Sequence, residues 1–267
     1  MEKLKDYGLI EIAEEVGAYI FGDNNVPFIP YQPDGNWEAF LPRYETQRDR
    51  FETYCCTVFG TLNAIETLHK RLYGTEPNYS ESFTAILSGL TGTGGTDPQT
   101  PCESIRHDGV ITQELMPMTN TIEEFFDKGK ITGSLLAKGQ NWLYNYDFKH
   151  DWVWKGTRPD NYIELLKQAL KTSPLGVSVS AWNEVDGVYV STGNVNNHWC
   201  LLYNIDDEGY PWIFDSYDHS KKKLAKDHNI RRAKRIYISN KKEKVKSLME
   251  KVIELLQQLL LLKKKQK

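Results

Sequence analysis

Apolar residues at helical spacing dominate the first half of the chain. Between residues 56 and 73 they recur at steps of three and four with charged residues between them, which predicts an amphipathic helix with one buried face. Similar spacing predicts further helices at 3–20, 80–90 and 161–171. Residues 115–158 show no clear periodicity.

After Pro174 the pattern changes to short apolar or alternating runs, which are typical of strands. The predicted strands lie at 177–181, 187–190, 199–205, 210–214 and 235–238. Helices followed by strands are typical of an α+β protein. We therefore expect two lobes, with a boundary between about residues 116 and 175.

Composition indicates a folded protein, because 267 residues with 40% hydrophobic side chains can bury one large core or two lobes that share a cleft. The chain has no run of about 18 apolar residues and no apolar signal core near Met1. Neither a transmembrane helix nor a secretory signal peptide is therefore predicted.

The net charge of −3 is unevenly distributed. Residues 219–267 hold 17 basic and 4 acidic side chains, which leaves 16 basic and 32 acidic side chains in residues 1–218. A basic tail can meet an anionic surface or the acidic body of the chain, and a plain solvated tail explains it equally well. Nucleic acid is not expected as a partner, because no aromatic stacking motif accompanies the basic residues.

Neither a zinc site nor a disulfide framework is expected from the cysteines, which are Cys55, Cys56, Cys102 and Cys200. No Cys-x-x-Cys pair occurs, and the adjacent Cys55 and Cys56 could close only a strained ring. We predict four thiols, which favours a reducing, cytoplasmic compartment, and we predict no metal or cofactor.

Cys56 and His198 are the candidate nucleophile and base. A helix N-terminus and a nearby imidazolium both favour a cysteine thiolate, and Cys56 stands where the long helix is predicted to begin. His198 is the best candidate among six histidines because it directly precedes a predicted strand. Each residue alone is more often an ordinary structural residue, so the hypothesis depends on their joint occurrence.

Asp215 is the candidate third member, because a hairpin brings it to His198. Residues 206–209 predict a turn between the strands at 199–205 and 210–214. With a loop of two or four residues, paired positions sum to 415 and the two side chains are diagonal neighbours on one face, with backbones roughly 7 to 8 Å apart. A loop of three or five residues would place them on opposite faces.

The helix that begins at Cys56 resembles the active-site helix of the papain family of cysteine peptidases. Phe59 stands three positions after the cysteine, and Ile65 and Glu66 stand nine and ten positions after it, as in that family. Further similarities follow in the family's order at Tyr79–Ser82, Gly94-Gly95, Gly109-Val110, Pro174–Ser180, Asn197-His198 and Trp212–Tyr217. His198 lies 142 residues after Cys56, within the spacing found in papain and the cathepsins.

This resemblance spans roughly residues 36–240 and implies a papain-like fold with a helical N-terminal lobe and an antiparallel β C-terminal lobe. We expect these lobes at about residues 36–116 and 175–240. An N-terminal extension at 1–35 precedes them, and a C-terminal amphipathic helix at 241–267 follows. The extension is shorter than the family's inhibitory propeptide, so proteolytic activation is not expected.

The resemblance also implies a thiol peptidase that acts on peptides or proteins through Cys56, His198 and Asp215. It implies that Gln47 and the backbone N–H of Cys56 hold the oxyanion. Gln47 lies three residues further from the cysteine than the family's glutamine does, so a plain loop role stays open. The residues expected to contact substrate are Gly94, Gly95, Pro98, Ser180 and Trp199.

Departures from the family pattern keep other functions open. Asp215 stands in place of the family's asparagine, Tyr217 in place of its shielding tryptophan, and its disulfide cysteines are missing. The main alternative is a catalytically silent papain-fold module that binds or supports a larger assembly. A cell-wall amidase of the Cys-His type is the second, although such folds generally place the histidine closer to the cysteine.

The tail carries apolar residues at coiled-coil spacing. They recur at steps of 3, 4, 3, 4 and 3, and they are Val245, Leu248, Val252, Leu255, Leu259 and Leu262. We expect 241–267 to mediate self-association or, through its terminal lysines, anchoring to an anionic surface. The seam is shorter than a secure coiled coil, so docking onto the chain's own body is a further alternative.

Overall fold

The computed structural model describes residues 5–11, 20–21, 26–193, 195–218 and 220–242, together with Met249, Ile253 and Gln257. The α-helices of this part are α1 (Cys56–Tyr73), α2 (Glu81–Leu87), α3 (Gln99–Asp108), α4 (Ile122–Phe125), α5 (Gly133–Asn145) and α6 (Tyr162–Leu170). Its strands are β1 (Tyr146–Trp152), β2 (Leu175–Val179), β3 (Asn183–Val185), β4 (Val188–Val190), β5 (His198–Ile205), β6 (Pro211–Phe214), β7 (Lys221–Lys223) and β8 (Ala233–Asn240). Short 3-10 helices lie at Glu38–Phe40 and Lys128–Lys130. Among the described residues, no helix has the length and apolar character needed to cross a bilayer.

Six strands form one antiparallel sheet in the order β1-β8-β2-β5-β6-β7, and β3 pairs with β4 in a separate hairpin. Every residue of β2 is buried, as are the first six residues of β5 and of β8. Helices α1 and α6 both pack against this sheet. The predicted α+β class, with helices and an antiparallel sheet, is confirmed.

Helix α1 covers the residues that the apolar spacing predicted. It ends at Gly74, whose φ of 69° suits a glycine cap, and the N–H of Gly74 bonds to the carbonyl of Lys70. The prediction of a single buried face is wrong, because all residues from Cys56 to His69 are buried. The cause is its central position, with β5 and β8 against it as well as α2 and α3.

The β5–β6 hairpin has the predicted register at its inner end. Leu201 pairs with Phe214 and Leu202 pairs with Ile213, so both pairs sum to 415. The connecting loop nevertheless has five residues, 206–210, and the pairs next to it sum to 416. The turn predicted at 206–209 is therefore one residue too short and the condition of a two- or four-residue loop is not met, although the inner register is confirmed.

A β-bulge at Tyr203 reconciles these two observations. The register shifts between Leu202 and Asn204, so Tyr203 is an extra residue of β5, and its carbonyl accepts a hydrogen bond of 2.9 Å from the N–H of Trp37. One extra residue in the loop and one in the strand cancel, because each reverses the alternation of faces once. The inner ends of β5 and β6 thus keep the facing that an even loop would give.

The helix predicted at 3–20 is wrong over the described residues 5–11, which are extended. Leu9 forms a bridge with Thr96, and Gly8 has a φ of 99°, which a right-handed helix excludes. The apolar side chains of Tyr7 and Leu9 are buried against other parts of the chain. Residues 3–4 and 12–19 of the predicted helix lie outside the described residues, and Ile20 forms a bridge with Trp152.

Residues 115–158, which show no clear periodicity, contain α4, α5 and β1. Helix α5 buries only Gly139 and Trp142, and this explains its weak apolar pattern. The coiled-coil seam at 245–262 lies outside the described residues, so self-association and surface anchoring through 241–267 stay predictions. The division into an N-terminal extension and two lobes also stays a prediction.

Candidate active site

Cys56 is the first residue of α1, and it is fully buried. Its sulfur accepts a hydrogen bond from the backbone N–H of Trp199, the residue directly after His198. Burial raises the pKa of the Cys56 thiol well above its usual value, and the Trp199 hydrogen bond acts in the opposite direction. The start of α1 and the start of β5 therefore meet at this thiol.

Cys55 precedes the helix and is directed elsewhere. Its thiol donates a hydrogen bond of 3.3 Å to the carbonyl of Thr53, and burial raises its pKa. Tyr54, one residue earlier, has a φ of 55°, in the left-handed region that non-glycine residues seldom adopt. This tight entry into α1 separates the two neighbouring thiols.

His198 and Asp215 form a fully buried pair. Nε2 of His198 lies 2.5 Å from Oδ1 of Asp215, and both side chains have no exposed surface. Nδ1 of His198 is buried and makes no hydrogen bond with the described residues. The pair therefore leaves Nδ1 as the ring nitrogen that can take up a proton, with Nε2–H donated to the carboxylate.

Asp215 also has a partner that the sequence did not predict. Nζ of Lys222 lies 2.6 Å from Oδ2 of Asp215, and Lys222 is 1% exposed. Residue 222 is one of three consecutive lysines, a pattern typical of a solvated surface. Only the strand alternation of β7, with its middle residue buried, could have indicated this position.

Aromatic rings surround the imidazole of His198. The ring centres of Tyr7, Trp182 and Tyr217 lie 5.1, 5.4 and 6.2 Å from it. Such rings exclude water from the His198–Asp215 hydrogen bond, and a hydrogen bond shielded in this way is electrostatically stronger than one in water.

The structure brings Gln47 to the same place. Its Oε1 accepts a hydrogen bond of 3.0 Å from the hydroxyl of Ser216, next to Asp215, and its Nε2 donates to the carbonyl of Tyr7 at 3.1 Å and to Glu52 at 2.9 Å. Residues 48–52 form a loop that Thr53 closes, because the N–H and the hydroxyl of Thr53 both donate hydrogen bonds to the carbonyl of Gln47.

Residues 5–11, which we call the strap, lie across these residues. The carbonyl of Gly8 accepts a hydrogen bond of 3.0 Å from the N–H of Thr96, and the N–H of Ile10 donates one of 3.1 Å to the carbonyl of Thr96. Leu9 packs in a small apolar cluster with Cys56. The strap is thus fixed by its backbone and brings an apolar side chain into the cluster that contains Cys56.

Both ends of the strap are also held. The carbonyl of Lys5 accepts a hydrogen bond of 2.8 Å from Nδ2 of Asn197, the residue before His198. At the other end, Glu11 forms an ion pair of 3.2 Å with Arg231. The contacts therefore extend along the whole described length of the segment.

Of the residues expected to contact substrate, Gly95 and Trp199 adjoin the strap. A Cβ on Gly95 would lie 1.6 Å from the carbonyl oxygen of Gly8, and Trp199 belongs to the cluster of Leu9 and Cys56. The indole of Trp199 packs where Gly60 and Gly176 leave room for it.

The other three candidates are Gly94, Pro98 and Ser180. Gly94 has no atom within 4 Å of its Cβ position. Pro98 is buried and precedes α3. The hydroxyl groups of Ser180 and Thr192 form a hydrogen bond of 2.6 Å.

Solved structures of several cysteine proteases are similar to this one. Xylellain, a cysteine protease from Xylella fastidiosa, superposes with a TM-score of 0.60 at 16% identity, over 88% of this chain and 96% of that chain. Digestive procathepsin L 3 of Tenebrio molitor larval midgut gives 0.57 at 14% identity, over 86% and 76%. The bromelain protease from Ananas comosus, in complex with the E64 inhibitor, gives 0.51 at 17% identity, over 77% and 98%.

The chain has the papain-like fold. No protein-family model and no curated protein matches the sequence. At 14–17% identity the superpositions show the papain-like fold alone.

Proposed function

We propose that this papain-like chain is a thiol peptidase in which Cys56 is the nucleophile, His198 the base and Asp215 the group that orients the base. The observation that carries the proposal is the fully buried hydrogen bond of 2.5 Å between Nε2 of His198 and Oδ1 of Asp215. It leaves Nδ1 to exchange a proton with the Cys56 thiol at the start of α1.

Hydrolysis then proceeds through an acyl-enzyme. His198 takes the proton of Cys56, the thiolate attacks the peptide carbonyl, and the backbone N–H of Cys56 and Nε2 of Gln47 hold the oxyanion. His198 next protonates the leaving amine, and water releases the acyl group from the sulfur. The substrate is a peptide or a protein.

The strap makes this proposed peptidase latent. Tyr7 occupies the donor of Gln47, and Leu9 packs on Cys56, so a substrate cannot bind there until the strap leaves. Burial of Cys56 raises its pKa, which keeps the thiol protonated at neutral pH. Release of the strap returns water to the thiol, lowers that pKa and increases the fraction of thiolate.

A single substitution, Gly8→Val, tests latency and activity together. Gly8 has a φ of 99°, and a Cβ there would lie 2.1 Å from the carbonyl oxygen of Tyr54, so valine displaces the strap. Gly133→Val is the matched control, because its Cβ position has no atom within 4 Å. Both variants are treated with an epoxide thiol reagent and peptide-mapped, and hydrolysis of an unfolded protein is measured with Cys56→Ser as the blank.

The proposal expects the epoxide adduct on Cys56, not Cys55, and faster labelling and hydrolysis in Gly8→Val than in the parent or the control. A folded Gly8→Val protein whose Cys56 reacts no faster than Cys102, with no hydrolysis, would instead support the silent binding module. Cleavage of a cell-wall peptide but no protein would support the amidase.

A further inference from the structure

Lys222 is a buried cation directly behind the candidate triad. It is the middle residue of β7, in which Lys221 is exposed and Lys223 is half-buried, whereas Lys222 is 1% exposed. Lysine is almost never fully buried unless its charge is paired. The inward direction of this side chain therefore requires an anionic partner.

The partner is Asp215, whose two carboxylate oxygens serve different groups. Oδ2 accepts a hydrogen bond of 2.6 Å from Nζ of Lys222, and Oδ1 accepts one of 2.5 Å from Nε2 of His198. Nζ also donates to the carbonyl of Tyr217 at 2.7 Å. The turn between β6 and β7, closed by the N–H of Asp215 and the carbonyl of Ser220 at 2.8 Å, holds these groups together.

The net charge of the buried site depends on Lys222, an argument that rests on the proposed function. In the reactive state the thiolate of Cys56 and the imidazolium of His198 cancel. A neutral asparagine in the third place would leave the buried site neutral, but an aspartate alone leaves one net negative charge. Uncompensated buried charge is costly and changes the proton equilibria of its neighbours.

We propose that Lys222 is a positioning residue that neutralises Asp215. The carboxylate then orients His198 through a charge-assisted hydrogen bond, while the site as a whole keeps the charge balance of a cysteine–histidine–asparagine triad. The Nζ of Lys222 already donates hydrogen bonds to Asp215 and to the carbonyl of Tyr217. Lys222 therefore acts on His198 through Asp215.

The apolar surroundings of Lys222 allow its positive charge to act electrostatically on His198. Nζ lies 5.1 Å from the ring centre of Trp182, and the same ring packs edge-on against His198 at 5.4 Å. Because water is excluded here, the charge is only weakly screened. Among the described residues, the other charged or titratable groups near the site are Lys5, Asp6, Tyr7, Tyr44, Arg48, Glu52, Cys55, Tyr189, Cys200, Tyr217, Asp218 and His228, and all of them stay in place in the variants below.

The titration of His198 tests this proposal independently of catalysis. Deuterium exchange at the C2 carbon of the imidazole, measured by mass spectrometry of the full chain across pH, gives the titration midpoint of His198. Lys222→Met leaves the carboxylate of Asp215 uncompensated and favours the imidazolium, so the midpoint rises by about one to three pH units. Asp215→Asn leaves the cation uncompensated, so the midpoint falls.

The double variant Asp215→Asn/Lys222→Met removes both charges, and its midpoint returns close to that of the parent, because neither charge is then left without its partner. Lys222→Arg keeps the cation and leaves the midpoint in place. Lys221→Met is the matched control, since it removes an exposed lysine of the same strand. Should Lys222→Met fail to fold, the double variant and Lys222→Arg still carry the comparison with Asp215→Asn.

An unmoved midpoint in folded Lys222→Met, or a double variant that stays shifted like Asp215→Asn, overturns the proposal. Alkylation of Cys56 is measured separately in the Gly8→Val chain. If Cys56 is inert there while the His198 midpoint shifts as expected, the peptidase proposal fails and the role of Lys222 stands. If Cys56 reacts and the midpoint does not move, the peptidase proposal stands and the proposed role of Lys222 fails.

Discussion

The carbonyl oxygen of Tyr7 accepts a hydrogen bond of 3.1 Å from Nε2 of Gln47. This is the side-chain donor that the proposed peptidase uses for the oxyanion, so the strap and a substrate compete for one group. The ring of Tyr7 also packs on His198, with centres 5.1 Å apart. The strap therefore contacts the oxyanion donor and the base at the same time.

A synthetic peptide with the sequence of residues 5–11 is expected to inhibit the Gly8→Val variant competitively. The reason is that the cleft vacated by the chain's own strap is free to bind it. A tethered segment acts at an effective concentration in roughly the millimolar range, so a strap that stays docked implies inhibition by the free peptide at millimolar concentration or below. Steady-state hydrolysis at increasing peptide concentration is the measurement.

The control is the same peptide with valine in place of Gly8, since that side chain meets the carbonyl of Tyr54. Equal inhibition by the two peptides would contradict the docking geometry of the strap.

Gln47→Ala is expected to lower kcat of the Gly8→Val variant by about 10²- to 10³-fold with little change in KM, the loss seen when one oxyanion donor is removed. Ser216→Ala serves as the comparison, because its hydroxyl only fixes the amide of Gln47 through a hydrogen bond of 3.0 Å. Its cost is expected to stay within about tenfold, the worth of one ordinary hydrogen bond. A greater loss in Ser216→Ala than in Gln47→Ala would rule out the oxyanion role.

Gly60→Ala is expected to destabilise the protein although it adds alanine to a helix, where alanine is normally favoured. A Cβ at this position would lie 2.8 Å from Cδ1 of Trp199, and overpacking of this kind costs about 1–3 kcal/mol of unfolding free energy. Urea unfolding followed by tryptophan fluorescence gives the value. Gly133→Ala, in open space, should show no such loss, and equal stabilities of the two variants would mean that Trp199 packs elsewhere.

Glu66→Gln is expected to gain stability relative to the parent as pH rises. Burial raises the pKa of the Glu66 carboxyl well above its usual value, and the backbone N–H of Tyr79 acts in the opposite direction. A carboxyl with a higher pKa in the folded than in the unfolded chain stabilises the fold fully only below the unfolded value of about 4.3 and loses that contribution as pH rises. Urea unfolding at pH values below and above this range is the measurement, and a pH-independent difference would show that Glu66 does not ionise in this way.

The sequence predicted the parts of the site that depend on local periodicity. Helix α1 and the inner register of the β5–β6 hairpin follow from spacings of a few residues, and together they locate Cys56, His198 and Asp215. Glu66, which carried part of the papain resemblance, proves to be a buried helix residue that accepts a hydrogen bond of 2.8 Å from the backbone N–H of Tyr79.

Two other features could not be predicted, because they depend on contacts between distant parts of the chain. In sequence, Lys222 is indistinguishable from Lys221 and Lys223, until β7 pairs with β6 and turns its side chain inward. The strap resembles the beginning of a helix in its apolar spacing, but its backbone finds partners such as Thr96, some 90 residues away. Tertiary hydrogen bonds and a positive φ at Gly8 override the local preference there.

Because of the bulge at Tyr203, the alignment of His198 with Asp215 depends on whether the number of extra residues in the β5–β6 hairpin is odd or even. Insertion or deletion of one residue in the 206–210 loop would have to be matched by gain or loss of the bulge, or the two side chains would point to opposite faces. The N–H of Trp37, a residue outside the sheet, donates a hydrogen bond to the carbonyl of Tyr203. This contact stabilises the bulge and with it the alignment of the two side chains. Length changes in this hairpin should therefore be tolerated in steps of two residues.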